Sequence, residues 1–109
     1  MIGNRQELLR ELILGAVADL YESFEMVLEH VTKLATERGL SITRDDVAET
    51  LGCVIREGYV QAYVLSPQEP HSQPVDFHPD DIDELWFYVT PKGGRVVEQW
   101  AKKGDASLN

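Results

Sequence analysis

The chain has 109 residues, 43% of them hydrophobic and 27% charged, and its 10 Lys+Arg against 19 Asp+Glu leave a formal charge of −9. These values bound it to one domain with one core and exclude disordered, collagen-like and low-complexity chains. The longest apolar run, Leu12 to Ala18, is seven residues, where a membrane span needs about 20.

In chain order, Asn4 with Glu7 three residues on has the form of a capping box, and Leu8, Leu9, Leu12, Ile13, Ala16, Val17 and Leu20 follow at helical spacing. They predict a first helix over about 5–20. A second apolar stripe, Phe24, Val27, Leu28, Val31, Leu34 and Ala35, ends before Gly39, a suitable stop. Ser23 can cap this second helix. Without a break, the row from Ile13 to Leu34 would form the 4-3 seam of one long helix. Two helices are expected, because one that long is uncommon in a domain this size.

Thr43, with Asp46 three residues on, opens a third helix that runs to about Glu57, buries Val47, Leu51, Val54 and Ile55, and stops at Gly58. Residues 59–65, rich in β-branched and aromatic side chains, read as a strand. Residues 66–83 contain Pro67, Pro70, Pro74 and Pro79 and are expected to be loop, with room for one helical turn after Pro79. A second strand covers residues 85–89. Thr90 then caps a last helix with Pro91 in its first position and Val96, Val97 and Trp100 on its apolar side. The expected fold class is α+β: three N-terminal helices, a two-stranded β ribbon and a C-terminal helix.

Two stretches within this order resemble the winged helix-turn-helix family, in particular its PadR-like and MarR-like regulators. Leu51-Gly52-Cys53-Val54-Ile55-Arg56-Glu57-Gly58-Tyr59-Val60 is similar to the end of a recognition helix passing into the first strand of a wing. Trp86-Phe87-Tyr88-Val89-Thr90-Pro91-Lys92-Gly93-Gly94-Arg95 is similar to the strand that leaves the wing for the final helix. The resemblance implies a single winged-helix domain over 1–109 with its wing loop at about 66–83. It also implies a homodimer, for which the amphipathic helix at about 5–20 would be the dimerisation element. Three features depart from the family pattern: a long second helix, an extra glycine between Thr90 and Arg95, and a proline-rich acidic wing loop.

The charge is unevenly placed. Residues 57–91 hold seven acids and no Lys or Arg, whereas residues 92–109 sum to +2. With the apolar side inward, the third helix would expose Arg44, Asp45, Asp46, Glu49, Thr50, Cys53, Arg56 and Glu57. A site-specific DNA binder makes about 6–10 phosphate contacts, and this face is net acidic. The expected function is therefore a non-catalytic winged-helix regulatory module that binds a protein partner through an acidic surface. The alternative is a DNA-binding transcriptional regulator, a homodimer using Arg44, Arg56, Lys92 and Arg95, with Thr50 reading a thymine methyl. Candidate contact residues for either are Arg44, Asp45, Glu49, Thr50, Arg56, Lys92 and Arg95. Lys92, Arg95, Gln99, Lys102 and Lys103 share one side of the last helix, which reads as a solvated face complementing the helix dipole.

Other groups carry weaker signals. His71, Asp76 and His78, with Asp80 and Asp81, have metal-ligating chemistry, but their spacing matches no ligand pattern; a solvated loop is expected, with pH sensitivity of the two histidines as a further option. Cys53 faces Arg56 but also Glu49 and Glu57, and reads as a structural cysteine. Lys92-Gly93-Gly94-Arg95 lacks phosphate-loop spacing and reads as a turn. Tyr59, Tyr63, Trp86 and Tyr88 can stack bases or line a pocket, but are expected to pack on the helices in competition with Phe87 and Val89. His30 is expected to be partly exposed. No catalytic arrangement or cofactor motif stands out, and the single cysteine and the lack of a signal-peptide pattern predict a cytoplasmic protein.

Overall fold

The computed structural model describes residues 4–108, with side chains for residues 5–100. The first helix, α1 (Asn4–Ala16), stops four residues short of the expected end. The Val17 carbonyl accepts the Val89 N–H at 3.1 Å, which draws the chain out of the helix and into the sheet. Leu20, at a helical position of the apolar row, is consequently 69% exposed. The Asn4 side chain of the expected capping box lies outside the described residues.

A two-residue strand, β1 (Glu22–Ser23), follows, and Ser23 also caps α2 (Phe24–Glu37) by accepting the Met26 N–H at 3.2 Å. Two helices, not one, therefore occupy this region. α2 and α3 (Arg44–Arg56) end in the same way: the Gly39 and Gly58 backbones take φ of 77° and 86°. Leu40 and Tyr59 then donate back to the Ala35 and Val54 carbonyls at 2.8 and 2.9 Å, and the two glycines to Thr36 and Ile55 at 3.0 Å. These are paired Schellman stops, which require a residue free to adopt left-handed backbone. At the front of α3, Thr43 and Asp46 bond each other's backbone N–H at 3.1 and 2.9 Å, the reciprocal capping box.

The remaining strands are β2 (Val60–Leu65), β3 (Ser72–Val75) and β4 (Trp86–Val89), in a four-stranded antiparallel sheet of order β1-β4-β2-β3. The expected two-stranded ribbon is thus corrected on both sides. β1 is too short to carry a periodic signal. β3 includes Pro74, which is tolerated because β3 is an edge strand. Residues Pro79–Glu84 form a 3₁₀ helix, and α4 (Pro91–Leu108) closes the chain.

Strand alternation sorts the sheet's side chains. Val60, Ala62, Phe87 and Val89 are buried against the helices, and Gln61, Tyr63, Trp86 and Tyr88 are half-buried on the outer face. The core comprises Leu9, Ile13 and Val17, then Phe24, Val27, Val31 and Ala35, then Val47, Leu51 and Val54, all 2% exposed or less. Each fully buried side chain of Val, Leu or Phe size contributes about 1.5–3 kcal/mol of transfer free energy. Ile82 and Leu85, at 4% and 6%, join this core from the long connection between β3 and β4. Ile55, expected inward, is half-buried.

Candidate functional site

The seven candidate contact residues do not form one surface. Arg44, at the first position of α3, is held by both carboxylate oxygens of Asp83 at 2.7 and 2.8 Å, and its guanidinium lies 4.9 Å from the centre of the Phe24 ring. Thr50 faces inward: it is 2% exposed, and its hydroxyl accepts from Gln6 at 3.3 Å. The expectation that Thr50 is displayed is therefore wrong. α1 packs on that side of α3, and a small hydroxyl residue with one partner fits there. Asp45 and Glu49 are exposed and form no ion pair among the described residues.

What lies over α3 was not legible beforehand. The segment 76–85 folds back as a strap instead of reaching out as a wing. Phe77 sits beside Gly52, where an added Cβ would stand 3.5 Å from the ring, and the same ring packs 6.1 Å from Phe87. Gly52 is buried in consequence, although it lies on the flank of α3 that the pattern leaves outside. Between helix and strap is an open groove of about 380 Å³, with Asp45 and Glu49 as its acids, Arg56 at one end and Ala48, Phe77 and Pro79 as its apolar wall. Phe77, Ile82 and Leu85 were the sequence signal for the strap, as the apolar residues among the prolines and acids of a segment expected to be loop.

The basic residues are largely committed to holding elements together. Arg5 bonds Asp46 and the Ser41 carbonyl, each at 3.0 Å, and Arg10 pairs with Glu57, so two ion pairs tie α1 to α3. The Thr43 N–H and then Arg5 hold the Asp46 carboxyl below the usual carboxylate range, and the Arg10 guanidinium does the same for Glu57. Lys92 donates to the Glu57 carbonyl at 2.8 Å and lies 4.6 Å from the centre of the Tyr59 ring. The Thr90 hydroxyl donates to the Gly58 carbonyl at 2.6 Å. Thus the Thr-Pro-Lys turn docks on the Glu-Gly-Tyr end of α3, and the two stretches singled out in the sequence meet. Arg56 points a guanidinium nitrogen at the Cys53 sulfur, 3.3 Å away, and Arg95 is exposed on α4. The Lys102 and Lys103 side chains of the basic stripe lie outside the described residues.

Gly93 and Gly94 are part of α4 rather than a turn or a phosphate cradle. A Cβ at Gly93 would lie 2.1 Å from the Tyr59 carbonyl oxygen, so this glycine sets how closely α4 approaches the start of β2. His71 stands 3.3 Å from the Ser66 carbonyl, and His78 caps the 3₁₀ helix without a side-chain bond. Among the described residues, no three metal-capable side chains converge, and His71, Asp76 and His78 do not come together as a set. Cys53 is half-buried and His30 exposed.

No protein-family model matches the chain, and no curated protein or solved structure does. The site therefore stands on its own geometry. That geometry includes an aromatic group on the outer sheet face, where Tyr63, Trp86 and Tyr88 are joined by Tyr21. The expectation that the strand aromatics pack on the helices holds for Tyr59, which lies against Arg10 of α1 and Lys92 of α4, and is overturned for Tyr63, Trp86 and Tyr88: Phe87 and Val89 take the inner face, and alternation sends their neighbours outward. No described helix is long and apolar enough to cross a membrane.

Proposed function

We propose that this protein is a non-catalytic winged helix-turn-helix module that binds a basic protein partner through an acidic surface. Support for the scaffold comes from the order helix, short strand, helix, helix and returning strands, with β1 paired to β4. α3 takes the place of a recognition helix. The acidic surface is Asp45 and Glu49 on α3 together with the exposed Asp76, Asp80 and Asp81 of the strap.

One observation carries this choice of partner. The flank of α3 is covered by the chain's own acidic segment, with Phe77 against Gly52 and Arg44 bound to Asp83. Ile82 and Leu85 anchor that segment in the core, so it does not swing aside as a flexible wing would. Of the candidate DNA contacts, Arg44 is neutralised, Thr50 is buried and Lys92 caps a helix end. A polyanion would meet carboxylates first.

The test is a pair of salt series on the whole protein. A random DNA duplex is expected to show no retention even at low salt, while polylysine is retained and released as salt rises. Asp45→Lys combined with Glu49→Lys should weaken polylysine binding about five- to tenfold at low salt. DNA retention that falls steeply with salt would replace this proposal with the transcriptional-regulator alternative. A homodimer belongs to the same proposal. Since Leu9, Leu12, Ile13 and Leu14 of α1 are buried within the protomer, its seam draws on α4, where Val96, Val97 and Trp100 stay partly exposed. A light-scattering mass of one chain would remove the dimer.

A further inference from the structure

The groove between α3 and the strap has two ends of opposite sign. Asp45, Ala48, Glu49, Gly52 and Arg56 recur three or four positions apart, so they form one stripe along α3. The two carboxylates stand at the start of the stripe and the guanidinium at its finish. The floor between them is bare, because Ala48 is small and Gly52 has no side chain. Phe77 and Pro79 of the strap wall this middle part.

Neither end is neutralised from within. Arg5, Arg10 and Arg44 each hold a carboxylate, whereas among the described residues Asp45, Glu49 and Arg56 form no ion pair. The carboxylate next to Arg56 in sequence, Glu57, is taken by Arg10. Arg56 donates instead to the Cys53 sulfur at 3.3 Å, a weak acceptor. Another of its nitrogens lies 3.5 Å from the place a Cβ would take at Gly52. The guanidinium therefore leans back along the helix, over the bare glycine and beside Phe77.

Length decides what such a groove suits. Asp45 and Arg56 are eleven positions apart, about 16 Å of helix. An extended peptide sets alternate side chains on one face about 6.6 Å apart, so three of them cover about 13 Å, within reach of both ends. The amine and carboxylate of a free amino acid share one carbon and cannot bridge that length. A run of lysines or arginines would satisfy the acids but meet Arg56 with like charge.

We infer that the groove binds an extended segment of a partner protein whose alternate side chains are basic, apolar and acidic. The basic one meets Asp45 and Glu49, the apolar one packs on Phe77 over Ala48 and Gly52, and the acidic one pairs with Arg56. The inference rests on the proposal that a partner's cations meet Asp45 and Glu49, and it adds a carboxylate that the partner must carry.

The experiment titrates the full chain with three peptides blocked at both ends, Lys-Ala-Leu-Ala-Glu, Lys-Ala-Leu-Ala-Gln and Lys-Ala-Leu-Ala-Lys, following the amide resonances of α3 and the strap. The glutamate peptide should bind about three- to fivefold more tightly than the glutamine one, the range of a well-placed exposed ion pair, and the lysine peptide most weakly. Arg56→Gln should level the glutamate and glutamine peptides, and Arg56→Glu should make the lysine peptide the tightest. Reversal of the order is a gain that a damaged fold would not produce, and the ranking on the unaltered chain needs no variant. A glutamine or lysine peptide that equals or exceeds the glutamate one on the unaltered chain overturns the inference, as does a ranking that Arg56→Glu leaves unchanged. Shifts of the same amides with protein concentration alone would give the groove to a second copy and also overturn it. If polylysine is retained while none of the three peptides binds, this inference fails and the basic-partner proposal stands. If the glutamate peptide binds as expected while polylysine is not retained, the groove stands and the proposal of a purely basic partner fails.

Discussion

Gly93 shows how one missing side chain sets a packing distance. The Tyr59 carbonyl accepts the Thr90 N–H at 3.0 Å, and the place a Cβ would take at Gly93 lies against the same oxygen. Gly93→Ala would push a carbon to 2.1 Å from that oxygen, closer than any real contact, so α4 must shift or the Thr90 bond must break. The expected loss is about 2–3 kcal/mol, the upper range for overpacking against backbone. Gly94→Ala is the internal control. Its Cβ would meet only a Val89 methyl at 4.0 Å, and the helix would gain up to about 1 kcal/mol from alanine's propensity. Chemical denaturation of the two variants checks both signs. Equal effects would show that the close approach at Gly93 is not what holds α4 in place.

At the scale of elements, the strap joins fold and proposed function. It is attached to α3 by one ring, Phe77, by the Arg44–Asp83 pair, and to the core by Ile82 and Leu85. The ion pair is solvent-exposed and contributes at most about 1 kcal/mol. Phe77→Ala should cost about 2 kcal/mol, less than a fully buried phenylalanine because the ring is half-exposed. It should also raise amide exchange within residues 76–81 without accelerating exchange in β2. Unchanged exchange there would mean that Ile82 and Leu85 alone seat the strap. The variant also tests occlusion: with α3 uncovered, DNA retention should still be absent, because the acids of the strap and of α3 remain.

For the whole molecule, the two α1–α3 ion pairs predict how stability depends on pH. The Glu57 and Asp46 carboxyls are held below their ordinary range in the fold, chiefly by the Arg10 hydrogen bond and the Thr43 N–H respectively. An unfolded chain therefore binds protons first as the solution is acidified. Their contribution is complete above the normal carboxylate range, about pH 4–5, and is lost as pH falls through the lowered folded values. At the alkaline end, burial pushes the Tyr63 phenol up. Its neutral form is favoured in the fold, so that contribution is complete below about pH 10 and is lost as pH rises through the raised value. Arg10→Gln should flatten the acid slope and Tyr63→Phe the alkaline slope in thermal melts across pH. A parallel offset at all pH values would show that neither group is linked to folding. The charge of −9 adds self-repulsion, so salt should stabilise the protein at neutral pH.

The residue order by itself determined the local elements. Thr43 with Asp46, the glycines at 39 and 58 and Thr90-Pro91 act through neighbours a few positions away, so the ends of α2 and α3, the start of α4 and the β2 and β4 strands were legible in the sequence. Alternation along residues 60–65 and 86–89 also separates inner from outer side chains once the sheet is known to cover one face only. Tertiary structure decided the rest. β1 has two residues and exists only because β4 offers it partners, and α1 ends at Ala16 because Val89 claims the Val17 carbonyl. Thr50 stands on the polar side of the α3 pattern and is buried only because α1 packs against it. Arg44 meets Asp83 across 39 positions, and no spacing rule reports a bond of that range. The acidic excess was visible from the start, but which cations remain free to oppose it depends on contacts between segments distant in the chain.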